Sequence, residues 1–165
     1  MRAHTGHPKR HRLALGVVML LALAVAACSP AERSIGIDAG EVAQVDLFFY
    51  DYSPSPTEVR RTSITDRGLI EELVKAFTAM PVRASRHAEV DLRGHPAAGV
   101  RFVQHDGTAV ELTQVFVDAH QVVIFWQDGS RSATPWGRPL VDYYADLGET
   151  STDVTTTEVP VAKVP

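Results

Sequence analysis

The 165-residue sequence predicts an α+β domain: a small antiparallel β-sheet of about five strands, in β-β-α-β-β-β-α order, covered by one main helix and a short C-terminal helix. Three observations lead there. Val42 to Tyr50 alternates apolar and polar residues, the stretch from Arg67 to Ala79 repeats its apolar residues every three or four positions, and residues 99 to 127 hold three strand-like runs parted by short turns. Strands that follow one another through such short turns pair antiparallel.

The first strand sets Ala43, Val45, Leu47 and Phe49 against Gln44 and Asp46, and Tyr52-Ser53-Pro54-Ser55-Pro56 breaks it. Thr57 to Ile64 is a more polar strand, where Arg60 and Arg61 suit a sheet edge because charge discourages stray pairing. Asp66 has the side chain of a helix N-cap. Behind it Leu69, Ile70, Leu73, Val74 and Phe77 form one apolar stripe, with Glu71, Glu72 and Lys75 outside and Pro81 beyond the end. Val82 to Pro96 is charged and reads as irregular.

The three strands that follow are Gly99 to His105, Thr108 to Val117 and His120 to Gln127. Asp106-Gly107 points to a type I′ hairpin turn, since glycine accepts a positive φ. In the last strand Val122, Ile124 and Trp126 point one way and Val123 and Phe125 the other, the pattern of an interior strand covered twice. The helix over 67 to 79 can cover only one of those faces. A short helix over Leu140 to Leu147, opened by Pro139, is expected over part of the second, with Phe48 and Tyr50 on whatever stays open to a partner.

The chain divides accordingly into residues 1–27, a polar and glycine-containing linker at 28–40, an ectodomain at 41–147 and a Thr/Val/Pro-rich tail at 148–165. The tail lacks any apolar periodicity and is expected to be unstructured, so that removing residues after Glu149 leaves stability unchanged.

The first of these segments has three parts. Arg2, Lys9, Arg10 and Arg12 form a basic start, Leu13 to Ala27 is an apolar run of 15 residues, and Val25-Ala26-Ala27-Cys28 places small residues before the one cysteine of the chain. Fifteen residues fall short of the roughly 20 that a permanent spanning helix needs. The arrangement resembles the signal peptide and lipobox of bacterial lipoproteins. The resemblance covers residues 1 to 28 alone and identifies no family for the ectodomain. It implies a diacylglyceryl group on the Cys28 thiol, cleavage between Ala27 and Cys28, and a protein held by acyl chains on the extracytoplasmic face of a bacterial cell membrane. An ordinary secretory signal is the competing reading, because Ala24-Val25-Ala26 also offers an A-x-A cleavage site.

Composition narrows the function further. The first 27 residues hold four basic and no acidic side chains, which leaves 12 basic against 20 acidic in the remainder, a formal charge of −8. That balance opposes nucleic-acid binding and a polybasic grip on anionic lipid. With Cys28 assigned to lipid, no thiol is left for a disulfide or a cysteine zinc site. The absence of asparagine excludes N-glycosylation.

Groups capable of chemistry are sparse. Alternation through His87, Glu89 and Asp91, with His95 folding back, would gather imidazole and carboxylate ligands suited to a divalent ion, yet the spacing matches no zinc signature and a solvated acidic loop explains the same residues. His105 and His120 flank neighbouring turns and could approach one another as a weaker pair of the same kind, although strand ends commonly carry such residues. No serine lies in a G-x-S-x-G elbow, and neither a P-loop nor a G-x-G-x-x-G is present. Arg131 and Arg138 are expected to lie across Trp136, capping the sheet rather than holding an anion. No cofactor is expected. The ectodomain therefore reads as a non-catalytic binding or accessory module with an envelope protein as its partner, the alternative being a small metal-dependent or hydrolytic enzyme built on the 87–95 loop.

Overall fold

A computed structural model describes residues 31–84, 91–135 and 152–160. Nine antiparallel strands form a sheet in the order β1-β4-β8-β7-β6-β5-β2-β3-β9. They are β1 (Ala31–Arg33), β2 (Val42–Asp51), β3 (Val59–Ile64), β4 (Met80–Ala84), β5 (Pro96–Gln104), β6 (Ala109–Asp118), β7 (Gln121–Trp126), β8 (Arg131–Thr134) and β9 (Thr152–Val154). One α-helix is present among the described residues, α1 (Arg67–Ala76).

This corrects the expected sheet of about five strands with two helices. The five expected strands correspond to β2, β3, β5, β6 and β7; the other four are additional. Both sheet edges come from segments expected to lack structure, β1 from the linker and β9 from the tail. The stretch from Val82, read as irregular, begins inside β4. Three or four residues are too few to display a two-residue period, and Pro81 removes a donor from β4, so only pairing partners reveal these strands. The helix expected over Leu140 to Leu147 lies outside the described residues.

Helix α1 starts where Asp66 Oδ1 accepts the Leu69 amide at 2.9 Å. It ends at Phe77, and Ala79 turns the chain into β4 with φ at +52°. Because β3 and β4 lie near opposite edges, α1 carries the chain across one face of the sheet. Beneath it Val45, Leu47, Val100, Phe102, Val122 and Ile124 form the first core with Ile70, Leu73 and Phe77 from the helix side. Phe77 meets Phe102 edge to face at 5.8 Å.

The β5–β6 connection departs from the expected type I′ turn. The Gly107 amide donates to the Gln104 carbonyl and Gly107 alone of the turn has a positive φ, +85°, which makes a three-residue loop ending in a left-handed glycine. The β7–β8 loop repeats this construction, with Gly129 at +81° donating to Trp126.

One polar side chain stands out in the first core. Gln114 pairs across the strands with Ala98 and Ile124, is fully buried, and neither Oε1 nor Nε2 has a hydrogen-bond partner among the described residues. An unpaired buried amide costs about 1–3 kcal/mol, so Gln114→Met, which keeps the volume and drops the amide, should stabilise the protein by that amount in urea unfolding. A lowered urea midpoint would mean that the amide is satisfied in solution.

Candidate functional site

The second face of the sheet carries a row of polar and charged side chains. Alternation along each strand puts Asp46, Phe48 and Tyr50 of β2 on this face, beside Ser63 and Arg61 of β3 and Arg101 and Gly99 of β5. Strand register lines Ser63, Asp46, Arg101 and Glu111 up in a row. Asp46 accepts Ser63 Oγ at 2.6 Å and Gln44 Nε2 at 2.7 Å, and Arg101 Nε meets Glu111 Oε1 at 2.6 Å. The next row holds Arg61, Phe48, Gly99, Thr113 and Phe125, and the Arg101 guanidinium lies 5.1 Å from the Phe48 ring centroid.

The tail crosses these rows. After β9 pairs Val154 with Val59 and Thr152 with Arg61, a 3-10 turn over Thr156–Glu158 brings the chain over the face. Arg61 Nη1 meets Glu158 Oε2 at 2.7 Å, Arg101 Nη2 donates to the Glu158 carbonyl at 3.0 Å, and Thr113 Oγ1 donates to the Pro160 carbonyl at 3.3 Å. Val159 is buried in the second core, which also contains Phe48, Tyr50, Tyr52, Leu92, Val123 and Phe125. Gly99 leaves room for this approach: a Cβ there would stand 3.0 Å from Pro160 Cδ, tighter than ordinary contact. Phe48 and Tyr50, expected on an open surface, are thus buried. Burial raises the Tyr50 hydroxyl to about 12 against a weaker opposing effect of its hydrogen bond with Thr113, and it also pushes Tyr52 up.

The expected metal-site residues separate into two groups. His87 and Glu89 lie outside the described residues. Asp91 accepts the Arg93 amide at 3.1 Å, and the His95 carbonyl accepts the Tyr52 amide at 2.9 Å, so this end of the loop is tied to the chain after β2 by backbone. Its contribution to packing is Leu92, buried in the second core. Among the described residues no three His, Cys, Asp or Glu groups come together as metal ligands. His105 and His120 belong to turns at opposite ends of the ten-residue β6, which corrects the expectation that they approach one another. Trp136 and Arg138 lie outside the described residues, as do Val25, Ala26, Ala27 and Cys28.

An arginine does lie across a tryptophan, in another place. Arg33 of β1 stacks on Trp126 at 4.2 Å, pairs with Asp128 Oδ2 at 2.6 Å and donates to Ser130 Oγ. Trp126 Nε1 in turn donates to the buried Ser132 hydroxyl at 2.8 Å. Hydrogen bonds from the Ser130 hydroxyl and amide, with Arg33 adding to them, hold the Asp128 carboxyl down at about 2 from an ordinary 3.8. A depressed folded-state value means stabilisation that is present above pH 3.8 and lost as pH falls through about 2. The melting-temperature gap between wild type and Asp128→Asn should accordingly close on acidification through that window. A gap independent of pH would show that the carboxylate charge takes no part.

Sequence reasoning missed Glu158, Val159 and Pro160 because a Thr/Val/Pro-rich segment looks the same solvated or docked. Arg61, read from the sequence as a charge on a sheet edge, gives no pointer to Glu158; only the pairing of β9 with β3 brings the two together. Comparison of the chain with protein-family models, with curated proteins and with solved structures finds no match in any of the three.

Proposed function

We propose that the chain is a lipid-anchored protein of the bacterial cell envelope, held on the extracytoplasmic face by a diacylglyceryl group on Cys28, and that its ectodomain is a binding or accessory module that performs no chemistry of its own. The observation carrying this reading is Val25-Ala26-Ala27-Cys28 at the end of an apolar run that follows four basic residues. Two acyl chains give a stable anchor where one is marginal, since each buried methylene contributes about 0.8 kcal/mol. The module reading draws support from how the half-buried charges are used. Arg33, Arg61 and Arg101 each tie one strand or segment to another through Asp128, Glu158 and Glu111.

Replacing Cys28 with Ser tests the anchor. The variant should move from the detergent-rich membrane fraction to the soluble exported fraction, or accumulate uncleaved. A Cys28→Ser protein that is cleaved at the same bond and still needs detergent for extraction would contradict the proposal.

A further inference from the structure

We infer that the groove beneath Glu158–Pro160 is a peptide-docking site filled in cis by the chain's own tail, and that its ligand in trans is an extended acidic segment of a partner protein containing a glutamate-valine-proline run. The inference rests on reading the ectodomain as a binding module and names the chemistry of its partner.

The contacts divide as they do when a peptide adds a strand to a sheet: main-chain pairing supplies adhesion, and side-chain sites downstream supply selection. Val154 and Thr152 pair with Val59 and Arg61 along the outer edge of β3. Selection begins at Glu158. Arg61 of β3 takes its carboxylate and Arg101 of β5 its carbonyl, from either side of the Phe48 ring. An arginine-carboxylate pair of this kind favours an acidic residue over a neutral one. Next, Val159 is buried in the second core, where a polar side chain would be left without water. Pro160 then lies against Gly99, where a Cβ would stand 3.0 Å from Pro160 Cδ, and its carbonyl receives the Thr113 hydroxyl. Three consecutive positions thus meet three different surfaces: an arginine pair, an apolar core and a glycine that admits close packing of the proline ring.

The hold is also of a kind that exchanges. Strand β9 has three residues, and the Arg61 and Glu158 side chains are 35% and 42% exposed, so water reaches the pair and screens it. A partner segment with the same pattern makes the same contacts. Its disadvantage is that the tail belongs to the same chain, and such attachment is equivalent to a local concentration on the order of millimolar. Weakening the tail should reveal the groove.

The test uses the mature protein carrying Cys28→Ser, and as probe a fluorescent synthetic peptide with the sequence of residues 152–160. Glu158→Lys in the protein should raise peptide affinity by about tenfold over the unaltered tail, and the same change in the peptide should lower it by about tenfold. Arg61→Glu in the protein should remove the preference for glutamate in the peptide. Amide exchange at Val59 and Arg61 reports whether the tail has left β3. Failure of the peptide to bind once those amides exchange, equal binding of the charge-reversed peptide, or continued protection in Glu158→Lys would each overturn the inference. If Glu158→Lys does not fold, Val159→Ser, which keeps the charge and removes the apolar anchor, serves the same purpose with the same readings. None of these outcomes bears on lipid attachment at Cys28, which is read from membrane partition.

Discussion

Phe125→Ala is expected to lower the free energy of unfolding by about 3–5 kcal/mol. Phe125 lies on β7, an interior strand whose two sides both carry apolar residues, and its ring stacks on Tyr52 with centroids 5.4 Å apart and 14° between planes. Truncation removes the ring from a packed layer with Val123, Leu92 and Tyr52, and the backbone of β7, fixed on both sides by β6 and β8, cannot close the void. Urea unfolding followed by tryptophan fluorescence measures the loss. A change below about 1 kcal/mol would place Phe125 outside any packed core, at the level of a surface substitution.

Deleting residues 150 to 165 is the second large effect. The deletion removes β9, the Arg61–Glu158 pair and the cover that Val159 and Pro160 place over the second face. Burial of Val159 by itself corresponds to about 1.5–3 kcal/mol, and the loss grows as Phe48 and Thr113 meet water. Thermal unfolding of the truncated protein should show a clear drop in midpoint. The sequence pattern leads to the opposite expectation, an unchanged midpoint, so the two accounts separate cleanly on this one variant.

The contrast shows where sequence reasoning reaches its limit in this chain. Strands β2, β5, β6 and β7 are long enough for alternation to be visible, and α1 carries a stripe with a capping aspartate, so these elements can be read before any contact is known. The two-sided character of β7 is visible in the same way, since Val122 and Ile124 enter the first core and Val123 and Phe125 the second. Strands β1, β4, β8 and β9 have no such pattern. Three of them are defined by distant partners: β1 by β4, with Arg33 opposite Met80, β4 by β8, with Arg83 opposite Ala133, and β9 by β3, with Thr152 opposite Arg61. Such pairings join segments far apart in sequence, and only β8 follows its partner β7 directly, through the turn at Asp128-Gly129. The docking groove was illegible for the same reason, because Glu158, Val159 and Pro160 acquire meaning only beside Arg61, Gly99 and Thr113. The histidines misled in a different way. Imidazole next to carboxylate suggests ligands, but His105 and His120 terminate opposite ends of one strand, and a strand of ten residues holds its ends roughly 30 Å apart.

The anchor at Cys28 is the claim on which the functional reading depends, and mass spectrometry of the N-terminal tryptic peptide of the protein purified from membranes tests it most directly. The proposal predicts a peptide of residues 28–33 that begins at Cys28 and carries a thioether-linked diacylglyceryl group. A peptide that begins at Ala27 with a free Cys28 thiol, as cleavage after Ala24-Val25-Ala26 would leave, would contradict it.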